Sequence, residues 1–181
     1  MARLPYPDYH TPHAKSHPTI NIMKLLSYSE ATVDHWAGLG NAQFKHLLLS
    51  TRDRELVIML TTSKFNSTYE WTHHLPLSLK AGVTEKQQAA LRASAKEKYY
   101  FIDRKCGSEA GFSEKDFILL AFVETIIQQP EVGEQLWKRV KSEFSDREIV
   151  EIISLQGFYY SFSRLTTVLR CDFDEWAKPK L

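Results

Sequence analysis

Residues 67–82 read STYEWTHHLPLSLKAG, from Ser67 to Gly82. The Ser67-x-x-Glu70 spacing matches a capping box, in which Ser67 accepts from the backbone at 70 and Glu70 reaches back to the N–H of 67. Gly82 stands where a left-handed C-cap is favoured. The stretch between them therefore predicts a helix over 67–81. Pro76 lacks a backbone N–H, which frees the Thr72 carbonyl and bends the helix near the histidines. On this helix Glu70 and His74 are i and i+4 and share a face. His73 points about 100° away from His74, so one of the two is expected to face a pocket. Glu70 would lie near the positive end of the helix dipole, which favours its ionised form.

Working outward, residues 52–64 predict a mostly buried helix, with Leu56, Val57, Met59 and Leu60 inside it. Glu55 interrupts that apolar run, and a buried carboxylate there needs a partner or is driven towards its neutral form. Residues 29–48 place Val33, Trp36, Phe44 and Leu47 at helical spacing. Thr84-x-x-Gln87 is a capping box opening a helix that runs into KEKYYF, followed by a polar loop. Ser113 caps a further helix ending before Pro130, and another covers 132–144. Ser145-x-x-Glu148, a third box, opens a long helix to about Leu169. Strand signals are scarce, so the fold class is all-α. A single domain is expected, with an extended, Pro- and His-rich arm over 1–18, a helical body over 19–170 and a tail over 171–181.

The length of 181 residues suits one domain, and 43% hydrophobic residues suffice for a core. Net charge is +1 with both signs mixed, which argues against nucleic acid as a partner. The longest apolar stretch, FILLAFVETII, is broken by Glu124 and too short for a bilayer. The first residues lack the apolar run of a signal peptide, so a cytoplasmic location is expected. Two cysteines, Cys106 and Cys171, do not make a disulfide framework.

Two carboxylates, Glu55 and Glu70, with the imidazole of His74, could converge on an apolar interior as a proton-handling site. The plainer alternative is that Glu70 only caps its helix and the histidines pack. No HExxH or Cys-x-x-Cys supports a metal centre. His10, His13 and His17 sit in a proline-rich setting that suits a draped arm, so no metal is expected. Tyr69, Trp71, His73, Trp36, Phe158 and Tyr159 are candidate walls of a substrate pocket, or simply core aromatics. Arg164 and Arg54 are candidate carboxylate clamps, or members of ion pairs with Glu55 or Glu148. Gly157, mid-helix, suggests close packing or room for a ligand.

The segment YEWTHHLPLSLKAGVTEKQQAAL, preceded by Arg-Glu-Leu-Val-Ile at 54–58, resembles the carboxymuconolactone decarboxylase family of the alkylhydroperoxidase D-like superfamily. RLPYPD near the start, FSEKD and SDREIVEIISLQGFYYSFSRL extend the resemblance to nearly the whole chain. The peroxidase branch of that superfamily carries an acid, two cysteines and a histidine, and here those positions are Glu55, Ser67, Glu70 and His74. Both cysteines are replaced, so peroxide reduction, which needs a thiolate and a resolving thiol, is not expected. The resemblance implies an alkylhydroperoxidase D-like helical fold, no cofactor and a homo-oligomer (dimer, trimer or hexamer). It implies a decarboxylase-like lyase acting on a small acid, with His74 as acid/base and Glu70 or Glu55 as its partner. A proton-transfer isomerase or cyclase uses the same equipment, and a non-catalytic binding or assembly protein could stand on the same scaffold. An intact set of Glu55, Glu70 and His74 leans against the last.

Overall fold

The computed structural model describes residues 1–9, 19–129 and 131–177. Among them are eight α-helices and no strand: α1 (Asn21–Leu26), α2 (Glu30–Lys45), α3 (Thr51–Lys64), α4 (Thr68–Lys80), α5 (Glu85–Ala93), α6 (Glu114–Gln128), α7 (Glu134–Glu143) and α8 (Asp146–Leu169). His10, His13, His17 and Pro130 lie outside the described residues.

The central helix is α3, which packs against α4, α5, α6 and α8. Every residue from Glu55 to Ser63 is buried, so this helix is enclosed all round and not amphipathic. Its buried hydroxyls stay satisfied because Thr61 and Thr62 bond back to carbonyls of their own helix, and Ser63 donates to the Leu91 carbonyl. Chain reversal into α4 uses Asn66 in the left-handed region, with the Ser67 N–H bonded to the Thr62 carbonyl. Asparagine tolerates that conformation better than most residues. α4 passes through Pro76 without ending and closes at Gly82, whose φ of 91° is a glycine conformation.

The capping boxes at Thr84/Gln87 and Ser145/Glu148 are present, and Ser113 pairs reciprocally with Asp116. The helix expected to run into KEKYYF instead stops at Ala93, followed by a short 3-10 turn and open turns. The cause is Glu124, the acid that breaks the apolar run of α6. It is fully buried, and its carboxylate accepts the N–H groups of Tyr100, Phe101 and Ile102 and the Lys64 ammonium at 2.5 Å. A folded turn that gives a buried carboxylate four donors competes successfully with local helix propensity.

A short helix absent from the sequence expectations, α1, lies beside α2. Residues 1–9 run without helix along the end of α8, with Arg3 N–H bonded to the Leu169 carbonyl. After α8 ends on Arg170 in the left-handed region, residues 171–177 turn back over α1. Asn21 holds them there through Asp174 Oδ1 at 2.9 Å and the Asp172 carbonyl at 3.1 Å. That return brings the C-terminal segment onto the face of α4 that carries the histidines.

Candidate active site

A cavity of about 480 Å³ lies between α1, α2, α4, α8 and the C-terminal segment. That volume falls in the usual range for small-molecule sites. Its walls are chiefly apolar: Ile22 and Met23 from α1, Trp36, Ala37, Gly40 and Phe44 from α2, Phe158 and Phe162 from α8, and Trp176. Trp36, Phe158 and Phe162 form one aromatic cluster, with ring centroids 4.3–5.6 Å apart. α2 presents small residues at Ala37 and Gly40, which makes the room. A Cβ at Gly40 would already stand 3.4 Å from the Phe158 ring.

The polar wall comes mainly from α4. Tyr69, Glu70, His73 and His74 all line the cavity and all are buried. His74 Nδ1 meets Glu55 Oε2 at 2.8 Å, and its Nε2 meets the Tyr159 hydroxyl at 3.0 Å. Glu55 is fully buried, and its other oxygen is held by Arg54 at 3.2 and 3.3 Å. Glu55, paired with Arg54, accepts a hydrogen bond from Nδ1–H, which leaves Nε2 to accept from the Tyr159 O–H. The result is a carboxylate–imidazole–phenol relay drawn from α3, α4 and α8. Burial first, then the negative charges of Glu70 and Glu55, push the Tyr159 phenol well above its ordinary range, so it remains an O–H.

His73 belongs to a second set. Its Nδ1 donates to the Tyr69 carbonyl at 2.7 Å, and its Nε2 faces Asp174 Oδ2 at 2.9 Å. The Tyr69 hydroxyl donates to the same oxygen at 2.5 Å. Burial works against ionisation of Asp174, but hydrogen bonds from His73, Tyr69 and Asn21 outweigh it and hold its carboxyl below the usual range. Both nitrogens of His73 thus face acceptors, and both are satisfied only when both carry a proton.

Glu70 stands between the two sets. Its Oε1 is buried with no hydrogen-bond partner among the described residues. Burial, reinforced by the charge of Asp174, raises its carboxyl to about 8. Near neutral pH it is therefore a neutral carboxylic acid at a cavity wall.

Several expectations are corrected by this geometry. Glu70 is not a cap: Ser67 makes no capping bond, and its hydroxyl pairs instead with Thr166 at 3.1 Å. Burial of Glu70 outweighs the helix dipole that would have kept it ionised. Of the two carboxylates expected as partners of His74, it is Glu55 that meets the ring, at 2.8 Å, while Glu70 makes no hydrogen bond through its buried Oε1. Both histidines line the cavity, since the C-terminal segment encloses the side towards which His73 turns. Trp71 is buried away from the cavity, under the Arg92 guanidinium. Arg164 is exposed and stacks on Phe65 and Tyr160 on the outer face of α8, so it clamps nothing in the cavity. Arg54 is occupied by Glu55 and the Phe44 ring. Gly157 is exposed with open space around it. Trp36, Phe158, Tyr159, Tyr69 and His73 do line the cavity.

Among the residues not foreseen are Asp174, Asn21 and Trp176. None has a local signal: Asp174 reaches His73 across 101 positions. Among the described residues, no three His, Cys, Asp or Glu side chains are grouped as metal ligands, and no helix is long and apolar enough to cross a membrane.

No family model and no curated protein sequence matches this chain. Solved structures do match. A peroxidase-related protein from a Silicibacter species shares 16% identity, with a TM-score of 0.63 over 87% of this chain and 78% of that one. An Agrobacterium tumefaciens protein of unknown function, proposed to be the antioxidant defence protein AhpD, shares 16% identity, with a TM-score of 0.65 over 83% and 95%. The debrominase Bmp8, a cysteine-to-alanine variant bound to 2,3,4-tribromopyrrole, shares 11% identity, with a TM-score of 0.66 over 88% and 80%. At these identities the likeness is one of fold, and the fold is the all-helical one of AhpD-like proteins.

Proposed function

We propose that this protein is an enzyme of acid–base chemistry that needs no cofactor: a decarboxylase-like lyase acting on a small lactone, aromatic or polyketide-derived acid. The observation that carries the reading is the Glu55–His74–Tyr159 relay beside a neutral Glu70, on the wall of an otherwise apolar cavity. Among the described residues no lysine or arginine lines that cavity, and the charge of His73 is offset by Asp174. A substrate carboxylate there loses water and gains no counter-ion. Loss of carbon dioxide breaks the carbon–carbon bond and leaves its electron pair on carbon, where it spreads into the ring as a dienolate. Glu70 then gives its proton to that carbon and recovers one from water after product leaves. The relay supplies a base: Tyr159 faces the cavity and takes a proton from the substrate as it passes its own to His74 Nε2, with Glu55 behind the ring to balance the imidazolium charge. That a debrominase of this fold binds a small aromatic ring supports a planar ligand.

A second reading is supported by the presence of two separate acid/base groups on one wall, Glu70 and the Tyr159–His74 pair. Such a wall suits a proton moved between two atoms of one substrate, as in an isomerase or cyclase. We further propose small molecules and other copies of this chain as the only partners, and a cytoplasmic location. The test is product analysis on a panel of lactone acids, aromatic acids and their neutral methyl esters. Carbon dioxide released from the acids, and lost in His74→Gln and Glu70→Gln, supports the lyase. Rearranged esters without carbon dioxide would replace it by the isomerase, and no turnover of any compound would refute both.

A further inference from the structure

Residues 171–177 do more than close the bundle. Asp174 is buried and its carboxylate takes three polar contacts from two other parts of the chain: the Tyr69 hydroxyl and His73 Nε2 on Oδ2, and the Asn21 N–H on Oδ1. The segment also stacks Phe173 on Tyr69 and sets Trp176 edge-on to His73 at 4.8 Å. These contacts fix the two α4 residues that flank Glu70 on the side opposite His74.

We propose that Asp174 is a positioning residue of the active site, holding Tyr69 and His73 in a buried triad that sets the orientation and electrostatic surroundings of Glu70. The proposal rests on the reading that Glu70 is the acid of this cavity. The charged and titratable groups around Glu70 are few. α4 itself gives Tyr69, His73 and His74. α3 gives Glu55 with Arg54, α8 gives Tyr159, and the C-terminal segment gives Asp174 and Cys171. Tyr69, Tyr159 and Cys171 are all held in their neutral forms by burial. Glu55 is matched by Arg54. That leaves Asp174 as the anion, and its partner His73 as the cation, that act on Glu70 from this side. The two should oppose each other: the anion favours the acid form of Glu70, and the cation favours its carboxylate.

The test needs no substrate, so it can fail independently of any turnover assay. Carbon-13 carboxyl titration of labelled glutamates follows Glu70 directly, with its signal assigned by its absence in Glu70→Gln. Wild type should titrate near 8. Asp174→Asn keeps the shape and removes the charge, so the midpoint should move down towards the ordinary glutamate range. His73→Gln keeps a donor to Asp174 and removes the cation, so the midpoint should move up. Opposite movements would establish the triad as the electrostatic setting of Glu70. Movement of both in one direction, or of neither, would overturn the proposal. Should Asp174→Asn fail to fold, His73→Gln decides alone: a midpoint unmoved or lowered overturns the proposal.

Discussion

Consider Glu55→Gln, a change of one atom at the centre of α3. The carboxylate is fully buried, with one oxygen on Arg54 and the other on His74 Nδ1 at 2.8 Å. Glutamine keeps one acceptor oxygen and puts an NH₂ group in place of the other. If the NH₂ faces Arg54, two donors meet and a guanidinium loses its counter-charge. If it faces His74, the ring must turn Nδ1 into an acceptor, so its proton moves to Nε2 and Tyr159 becomes the acceptor there. Either way one charge-assisted hydrogen bond is lost, a cost of about 1.5–3 kcal/mol. That is a sizeable part of the roughly 5–15 kcal/mol that holds a domain together. Glu55→Ala removes both contacts and should cost about 3–5 kcal/mol. The chemistry should suffer more than the fold. A ring with its proton on Nε2 cannot take one from Tyr159, so turnover should fall by about 10²-fold or more. Urea denaturation at an unchanged slope gives the stability loss, nitrogen-15 shifts of His74 give the tautomer, and product formation gives the rate. A Glu55→Gln protein as stable and as active as wild type, with His74 unchanged, would refute this reasoning.

Stability should also fall as pH rises through the window set by Glu70. Its folded value of about 8 lies above the ordinary 4.5, so between these the folded state binds more protons than the unfolded chain and stability drops. The slope is at most about 1.4 kcal/mol per pH unit, and it should vanish from melting curves of Glu70→Gln. Hydroperoxide turnover with a dithiol reductant should be absent. Burial pushes the Cys171 thiol up to about 12 and raises Cys106 too, so little thiolate exists. Wild-type turnover that disappears in a Cys106→Ser, Cys171→Ser double variant would contradict this. Gly40→Leu should fill the space beside Phe158 and abolish binding of ring compounds, measured by calorimetry, while leaving the fold intact.

Local patterns carried the helices well, because a cap or an apolar period acts within a few residues. Thr84/Gln87 and Ser145/Glu148 read correctly for that reason. The same pattern at Ser67/Glu70 misled, because burial against α8 and the C-terminal segment drew both side chains to other surroundings. Glu55 was legible as a charge inside an apolar run, and His74 as a histidine near it. Tyr159 could be read only as a wall, since its bond to His74 spans 85 positions. Asp174 was invisible, for nothing in a tail of mixed residues announces a return to α4. The stop after Ala93 depended on Glu124, a distant acid that no window of neighbouring residues contains.

The most direct test of proton delivery in this cavity is turnover of the acid panel in deuterium oxide, read by proton NMR, for wild type and His74→Gln side by side. The predicted result is one deuterium on the carbon that lost the carboxyl group, with the rate reduced by about 10²-fold or more in the variant. Product formed equally fast by both proteins, or product carrying no deuterium at that carbon, would contradict it.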